Sequence, residues 1–170
     1  VSEPDEGIYN AMNKGIARAS GKYVVFMNGG DRFAGNDDLQ AVADVPGKDI
    51  LYGDLMFGWE GGGVGHYPDY MPPNFLLKNT LSHQASYFRR ALFDLYGPHD
   101  ESFKIAGDYD LFVRLLHIHK VSYFHIPQIL AVFDNAGISQ DPGQRALRKK
   151  ENHRIRWNHF PQYRYSMKSF

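Results

Sequence analysis

The stretch that decides the fold is SEPDEGIYNAMNKG at 2–15, followed by KYVVFMNGGD at 22–31. Apolar residues recur at helical spacing from about Gly7 to Ser20, which predicts an amphipathic helix. Tyr23 to Met27 is a continuous apolar run, as expected of a strand buried on both faces. A turn rich in glycine and aspartate follows that strand. Because ligands of open α/β sheets bind at the carboxyl ends of strands, this turn is the first candidate site.

Helical and extended patterns alternate along the rest of the chain. We predict strands at 50–57, 84–88, 121–125 and 129–133, and helices at 37–45, 90–96, 108–119 and 144–159. The glycine-rich stretch at 58–65 predicts the turn of a hairpin that ends at Tyr67. The alternation predicts an α/β fold in which helices flank a mixed, mostly parallel sheet.

Composition narrows the class of protein. The 170 residues suffice for one domain with a sizeable core. Lysine plus arginine and aspartate plus glutamate both number 19, so charge gives no reason to expect a nucleic acid partner. Cysteine is absent, which excludes a disulfide scaffold and thiolate chemistry. Aromatic residues make up 15% of the chain and would either line a sugar-binding cleft or fill the core.

The segments at 2–15 and 22–31 together resemble the family 2 glycosyltransferases of bacteria, which often read much like SEPDxGIYDAMNKGI before a hydrophobic strand and an acidic turn. The resemblance covers nearly the whole chain and is strongest at 2–31 and 82–112. It implies a GT-A-type sandwich and transfer of a hexose, with inversion, from a nucleotide-sugar donor. A UDP-sugar is the expected donor, and a saccharide or lipid-linked molecule is the expected acceptor. The implied setting is cytoplasmic, at the inner membrane face, in surface polysaccharide synthesis.

The resemblance also implies a position within a longer enzyme. In this family about the first third of the catalytic domain precedes the helix at 7–20. We therefore expect residues 1–140 to be the C-terminal part of a catalytic domain that lacks its N-terminal strands, followed by a basic helix and tail at 141–170. Such a fragment would be inactive by itself. The uncovered edge of the strand at 23–27 would favour a homodimer.

The turn Asn28-Gly29-Gly30-Asp31 stands where the family has an Asp-x-Asp motif, which holds a divalent cation against the donor's diphosphate. Asn28 and Gly30 replace the two acids of that motif, and Asp31 is the carboxylate that remains. We predict that Asn28, Gly30 and Asp31 contact the diphosphate, with Asp31 as a ligand of Mg²⁺ or Mn²⁺. The alternative is a strand-ending turn in which Asp31 accepts backbone N–H groups.

The segment GDYDL at 107–111 resembles the family's Glu-Asp-Tyr-Asp-Leu, whose first aspartate is the general base. The match assigns that role to Asp108, and Gly107 stands in place of the common glutamate. An inverting transfer needs a base within hydrogen-bond reach of the acceptor hydroxyl. We place Asp110 on the acceptor side. The alternative for Asp108 is the N-cap of a helix.

Two further segments resemble the family. SHQASYFRR at 82–90 is similar to its His-Gln-x-x-Phe-Arg stretch, which predicts that His83 and Gln84 lie on the acceptor side. A polar pair facing the core is the alternative. Asp54, in the middle of the strand at 50–57, is predicted to contact the donor sugar, or else to satisfy nearby backbone groups.

The remaining histidines do not form a recognisable metal site. His117 and His119 lie two residues apart on a predicted helix, so they do not face each other, and we assign them structural roles. His125 ends a predicted strand near the proposed cleft, and its role stays open.

The predicted C-terminal helix is basic, with cations at Arg145, Arg148, Lys149, Lys150, Arg154 and Arg156. This pattern is typical either of a solvated basic face or of contact with anionic lipid or with the diphosphate of a lipid-linked acceptor. Two rival functions also stay open. One is a non-catalytic remnant that binds a sugar or nucleotide. The other is a metal-dependent phosphohydrolase that uses Asp31, Asp54 and Asp108.

Overall fold

A computed structural model describes residues 3–45, 47–59, 61–134 and 141–168. In these ranges helices flank a six-stranded mixed sheet. The strands are β1 (Tyr23–Val24), β2 (Arg32–Phe33), β3 (Ile50–Phe57), β4 (Val64–Gly65), β5 (Ser86–Arg89) and β6 (Tyr123–Phe133). The helices are α1 (Ile8–Arg18), α2 (Asp38–Ala43), α3 (Phe75–Lys78), α4 (Ala91–Tyr96), α5 (Gly107–Phe112), α6 (Arg145–His159) and α7 (Pro161–Lys168).

The sheet order is β1-β5-β3-β6-β2, with β4 paired to β3. Only β3 and β6 run parallel among the strand pairs of the described residues. The predicted mostly parallel sheet is therefore wrong, although the α/β class is confirmed. The physical reason is partly local: β4 follows β3 through a tight glycine-rich turn, and such a hairpin forces an antiparallel pair.

The sheet separates two apolar clusters. Side chains alternate along β3, so Ile50 and Tyr52 pack with α1, α4 and α5, whereas Leu51 and Leu55 pack on the opposite face with α2. Ile50, Leu51 and Tyr52 have no solvent exposure. This two-sided burial is why consecutive residues at the start of the strand, 50–52, are all apolar.

The C-terminal helices belong to the larger of these clusters. Ile155 and Phe160 are fully buried in it, together with residues of α5. The boundary predicted at 140 falls in residues 135–140, which lie outside the described residues. In the ranges that the structure describes, no helix is long and apolar enough to cross a membrane.

A buried histidine lies between α1 and the sheet. The His99 ring is 4% exposed, stacks on Tyr9 at 5.3 Å between ring centroids, and meets the edge of Phe26 at 5.0 Å. Neither ring nitrogen has a hydrogen-bond partner among the described residues. Burial lowers the pKa of His99 from 6.5 to about 4, so the ring is neutral in the folded protein at neutral pH.

We expect His99 to make the fold sensitive to acid. Between pH 6.5 and about 4 the unfolded chain binds a proton at His99 that the folded protein does not, so stability falls as pH falls through this window. At about 1.4 kcal/mol for each pH unit, the loss of stability reaches about 2–3 kcal/mol by pH 4.5. Denaturant unfolding at pH 7 and at pH 4.5 should show that His99→Phe removes this part of the loss. His119→Phe, which changes an exposed histidine, should keep the wild-type dependence; equal dependence in both variants would contradict the prediction.

Candidate active site

Three segments that are distant in the sequence meet at one place: the turn after β1, the loop before β5, and the first turn of α5. Side-chain hydrogen bonds join them. They bring together five of the residues predicted from the sequence: Asn28, Asp31, His83, Gln84 and Asp108. The turn itself is closed by a backbone hydrogen bond in which the Asp31 N–H donates to the Asn28 carbonyl at 3.1 Å.

His83 links the turn to α5. Its Nε2 lies 3.0 Å from Asn28 Nδ2, and its Nδ1 lies 3.2 Å from Asp108 Oδ2. A carboxylate accepts and an amide nitrogen donates, so this network assigns the proton to Nδ1 of a neutral imidazole. His83 therefore donates to Asp108 and accepts from Asn28.

The Asp108 carboxylate is partly open to solvent, with 23% of its side chain exposed. The N-cap of α5 is Ala106, so the alternative prediction that Asp108 is the N-cap is wrong. Burial by itself raises the pKa of the Asp108 carboxyl. Hydrogen bonds, that from His83 first among them, lower it by more, so the pKa lies below its usual value. The carboxylate is therefore ionised at neutral pH and can accept a proton.

Asp31 is held by groups from two other segments. Its Oδ2 accepts from Gln84 Nε2 at 3.0 Å, and its Oδ1 accepts the backbone N–H of Asp134 at 2.9 Å. Gln84 is buried and in turn accepts from the Ser82 hydroxyl at 2.6 Å. The contact with the Asp134 N–H matches the alternative prediction for Asp31. Its contact with a diphosphate and a metal ion stays a prediction.

The carboxylate of Asp134 also lies at this turn. The sequence analysis did not identify Asp134 as a site residue. A Cβ built on Gly30 would lie 2.2 Å from Asp134 Oδ2, so the Asp134 side chain fills the space that a side chain at position 30 would need. Gly30 also has φ of +92°, which favours glycine. The signal that could have found Asp134 is its place directly after a strand, the same signal that pointed to Asp31.

The residue types at this turn fit a divalent cation. Asp31 and Asp134 offer hard oxygen atoms, and Mg²⁺ is often held by one or two carboxylates together with substrate phosphates and water. Within the described ranges no group of three or more His, Cys, Asp or Glu side chains is arranged to hold a metal ion. A cation here would therefore depend on phosphate oxygens from a ligand.

The loop that leads into Asp108 is fastened by a buried glutamate from α6, which sequence reasoning also missed. Glu151 Oε1 accepts the backbone N–H of Lys104 at 2.8 Å, and its Oε2 accepts those of Ile105 and Ala106 at 3.0 and 2.9 Å. Glu151 is 6% exposed. The C-terminal helix thus positions the backbone just before the candidate base.

Tyr9 packs against the other side of the same loop. Its hydroxyl donates to the Ile105 carbonyl at 2.6 Å and lies 3.5 Å from Asp108 Oδ1. A Cβ built on Gly107 would lie 2.8 Å from the Tyr9 ring. A side chain at position 107 would therefore collide with the Tyr9 ring, which accounts for glycine at this position.

Two of the predicted site residues lie apart from this cluster. Asp54 bonds to His66 Nδ1 at 2.6 Å, to His125 Nε2 at 3.0 Å and to the Tyr67 N–H at 3.0 Å, which fastens the β3–β4 hairpin. The backbone contact matches the alternative prediction for Asp54. Its contact with a donor sugar stays a prediction.

The Asp110 side chain contacts residues outside this cluster. It accepts from Arg114 Nε at 2.8 Å and lies 3.5 Å from His159 Nε2. Burial raises the pKa of Asp110, but hydrogen bonds from His159 and Arg114 outweigh burial and lower the pKa. The structure gives Asp110 a helix-fastening role, and its acceptor-side role stays a prediction.

The His117 and His119 pair makes aromatic contacts instead of sharing a site. His117 stacks on Phe160 with 4.3 Å between ring centroids, and His119 stacks on Tyr96 at 4.0 Å. The structural assignment of both histidines is confirmed.

Two cavities meet at the cluster. The first, of about 410 Å³, is the acidic cavity, with Lys104 as a cation in its wall and carboxylates from Asp5, Asp31, Asp108 and Asp134. The second, of about 350 Å³, is the basic cavity, with cations from Lys78, Arg148 and Arg156. Residues that line both are His83, Gln84, Ile105, Asp108 and Phe133. The candidate base is thus accessible from two compartments of opposite charge.

Comparison with known proteins gives relatives of one kind. The chain is 35% identical over 144 residues to a protein of Mycobacterium tuberculosis named uncharacterized glycosyltransferase, a match that covers 81% of this chain and 54% of that protein. It is 31% identical over 121 residues to proteins of Mycobacterium bovis and Mycobacterium tuberculosis named PGL/p-HBAD biosynthesis glycosyltransferase, covering 66% of this chain and 44% of each relative. The chain is a relative of glycosyltransferases.

These relatives support the glycosyltransferase resemblance read from the sequence. The chain spans about half the length of the curated relatives it matches. No protein-family model matches the chain.

Proposed function

We propose that this protein is a family 2 glycosyltransferase of GT-A type, which transfers a hexose from a nucleotide-sugar donor to an acceptor hydroxyl with inversion. The observation that carries the proposal is the ionised Asp108 carboxylate, which is held by His83 and faces two cavities at once. A base shared by two compartments suits a reaction in which one substrate attacks another.

The acidic cavity is the proposed donor site. Its carboxylates repel a bare diphosphate, so such a ligand fits when a divalent cation neutralises the charge. In this proposal Asn28, Gly30 and Asp31 contact the donor diphosphate, and Asp31 and Asp134 hold Mg²⁺ or Mn²⁺. A cation bound there supplies the positive charge that the leaving diphosphate requires. A UDP-sugar is the proposed donor.

The acceptor hydroxyl is the proposed nucleophile. Asp108 accepts its proton while the hydroxyl oxygen forms the bond to the anomeric carbon, and the bond from that carbon to the diphosphate breaks. Attack opposite the leaving group inverts the configuration of that carbon. The hydrogen bond from His83 keeps the carboxylate ionised and aimed before the proton is transferred.

The proposed setting is glycan synthesis for the bacterial surface, on the cytoplasmic face of the membrane, with a saccharide or lipid-linked acceptor. The PGL/p-HBAD biosynthesis relatives support a biosynthetic role. Peripheral membrane contact would use Arg145, Lys149 and Lys150, which are exposed on α6. Pairing of two copies along β1, a terminal strand of the described sheet, stays a prediction.

The test of this function is donor turnover by the purified full-length protein. UDP-, GDP- and dTDP-hexoses are supplied with Mn²⁺, with and without a panel of saccharide acceptors, and nucleoside diphosphate release is measured. Release that depends on acceptor supports the transferase. Phosphate or sugar phosphate release without acceptor would instead identify a phosphohydrolase, and donor binding without turnover would identify a non-catalytic remnant.

We expect Asp31→Asn to weaken metal-dependent donor binding by at least about tenfold, because the cation loses a charged oxygen ligand. Donor affinity without metal should change little. Titration calorimetry with and without Mn²⁺ measures both, and Asp44→Asn, an exposed aspartate outside the site, is the matched control. Donor affinity that responds neither to Mn²⁺ nor to the substitution would show that Asp31 is structural.

A further inference from the structure

The basic cavity is built by cations from two separate elements. Arg148, Asn152 and Arg156 are spaced four residues apart on α6, so they lie on one face of that helix, and all three line the cavity. Lys78, the last residue of α3, reaches the cavity from another direction. Arg154, on a different face of α6, lies 3.3 Å from Asp100 and does not line it.

The wall of the basic cavity carries more positive than negative side chains. Among the described residues that line the basic cavity, Asp108 is the one carboxylate, and it is bonded to His83. Lys78 and Arg156 form no ion pair with a described residue. Like charges that line one cavity repel each other, and a bound anion would reduce that repulsion.

The rest of the cavity wall suits a sugar. Asn79, Thr80 and Ser82 offer hydroxyl and amide groups, whereas Tyr67 and Tyr109 offer aromatic faces. The volume of about 350 Å³ lies within the range of small-molecule sites. A ligand in this cavity also lies against Asp108, which forms part of its wall.

We propose that the basic cavity is the acceptor site, that the acceptor is a sugar carrying a phosphate group, and that Lys78, Arg148 and Arg156 bind that phosphate. The assignment of this cavity to the acceptor rests on the proposed function, whereas the existence of a phosphate site does not depend on turnover. Phosphate is also present in the donor, and the acidic cavity is the place proposed for that diphosphate. Binding measurements can therefore distinguish the two sources.

The experiment measures binding of glucose 6-phosphate, glucose and inorganic phosphate to the protein by titration calorimetry. Arg148→Gln/Arg156→Gln removes two charges from the cavity, and Lys149→Gln/Lys150→Gln removes two charges from exposed positions of the same helix. Lys78→Gln tests the site from a different element. Thermal melting of each variant checks that it folds.

We expect the phosphorylated sugar to bind more tightly than glucose, and the Arg148/Arg156 variant to weaken its binding at least tenfold. The Lys149/Lys150 control should bind as the wild type does, and Lys78→Gln should weaken binding in the same direction. Equal binding by the cavity variant and the control would overturn the proposal, as would no phosphate-dependent binding by the wild type.

Donor titration separates this inference from the proposed function. With UDP and Mn²⁺ as the probe, we expect the same affinity in the wild type and in the Arg148/Arg156 variant. Equal loss of UDP and glucose 6-phosphate affinity would overturn the inference, because the basic cavity would then hold the donor's diphosphate. Phosphate-sugar binding in a protein that binds and turns over no nucleotide sugar would instead defeat the proposed function and leave the phosphate site standing.

Discussion

Replacing Asp108 with asparagine is expected to slow sugar transfer by about 10²–10⁴-fold while donor affinity is retained. Asparagine has nearly the same shape, and its carbonyl oxygen can still accept the hydrogen bond that His83 donates to Asp108 at 3.2 Å. It cannot take the proton of the acceptor hydroxyl. Initial rates of acceptor-dependent nucleoside diphosphate release, together with donor titration, measure the two effects separately.

The control for this variant is Asp94→Asn, which changes an exposed aspartate whose described ion pair is with Arg90 on the surface. Its rate should equal that of the wild type. Near-normal turnover by Asp108→Asn would remove Asp108 from the role of base. A loss of donor affinity as large as the loss of rate would show that Asp108 binds the donor instead.

The environment of Asp108 also fixes the expected direction of the pH dependence. Because its pKa is lowered, the carboxylate is already ionised through the neutral range, and the rate is lost as pH falls through that lowered value. Burial alone would act in the opposite direction. The hydrogen bond from His83 is therefore part of what keeps the base in its reactive form.

Parts of the fold could be read from the sequence where burial is simple. The strand predicted at 50–57 has the same bounds as β3, because both faces of its first part are buried and Ile50, Leu51 and Tyr52 are all apolar. The glycine-rich turn predicted a hairpin that ends at Tyr67, and the structure has this hairpin with its second strand ending at Gly65. These features depend on local pattern, which one sequence contains.

The order of the strands in the sheet, and the continuity of β6, could not be predicted from the local sequence pattern. The predicted strands at 121–125 and 129–133 form one strand, β6, because Pro127 falls at an irregularity where the register to β3 shifts between Gly53 and Asp54. A proline breaks the strand pattern in the sequence, but a bulge can accommodate it. The number of parallel pairs depends on which strands become neighbours, and helix–strand alternation does not determine that.

In the candidate site, too, some residues could be predicted from the sequence and others could not. Asn28, His83 and Asp108 each lie in a segment with a recognisable motif, and the structure joins them by hydrogen bonds. Asp134 and Glu151 have no such motif. In the sequence Glu151 is one acid within a basic helix, a pattern typical of a solvated surface, and only the packing of α6 on the core buries it.

Replacing Glu151 with alanine is expected to lower the free energy of unfolding by at least about 3 kcal/mol. Its carboxylate accepts the backbone N–H groups of Lys104, Ile105 and Ala106, and two of these hydrogen bonds are buried. Leaving a buried donor unsatisfied costs about 1–3 kcal/mol, and charged acceptors are at the upper end. Denaturant unfolding measures the loss, and Glu6→Ala, which removes an exposed glutamate, should change stability by less than about 0.5 kcal/mol.

The same substitution should also act on the reaction, because the freed loop leads directly into α5 and Asp108. At a temperature where the variant is still folded, kcat should fall while the donor KM changes little, since the donor contacts proposed at Asp31 lie on another segment. Glu151→Gln keeps one oxygen acceptor and should fall between the wild type and Glu151→Ala in both stability and kcat. A large loss of stability with wild-type kcat would show that Glu151 fastens the helix to the core without positioning the base.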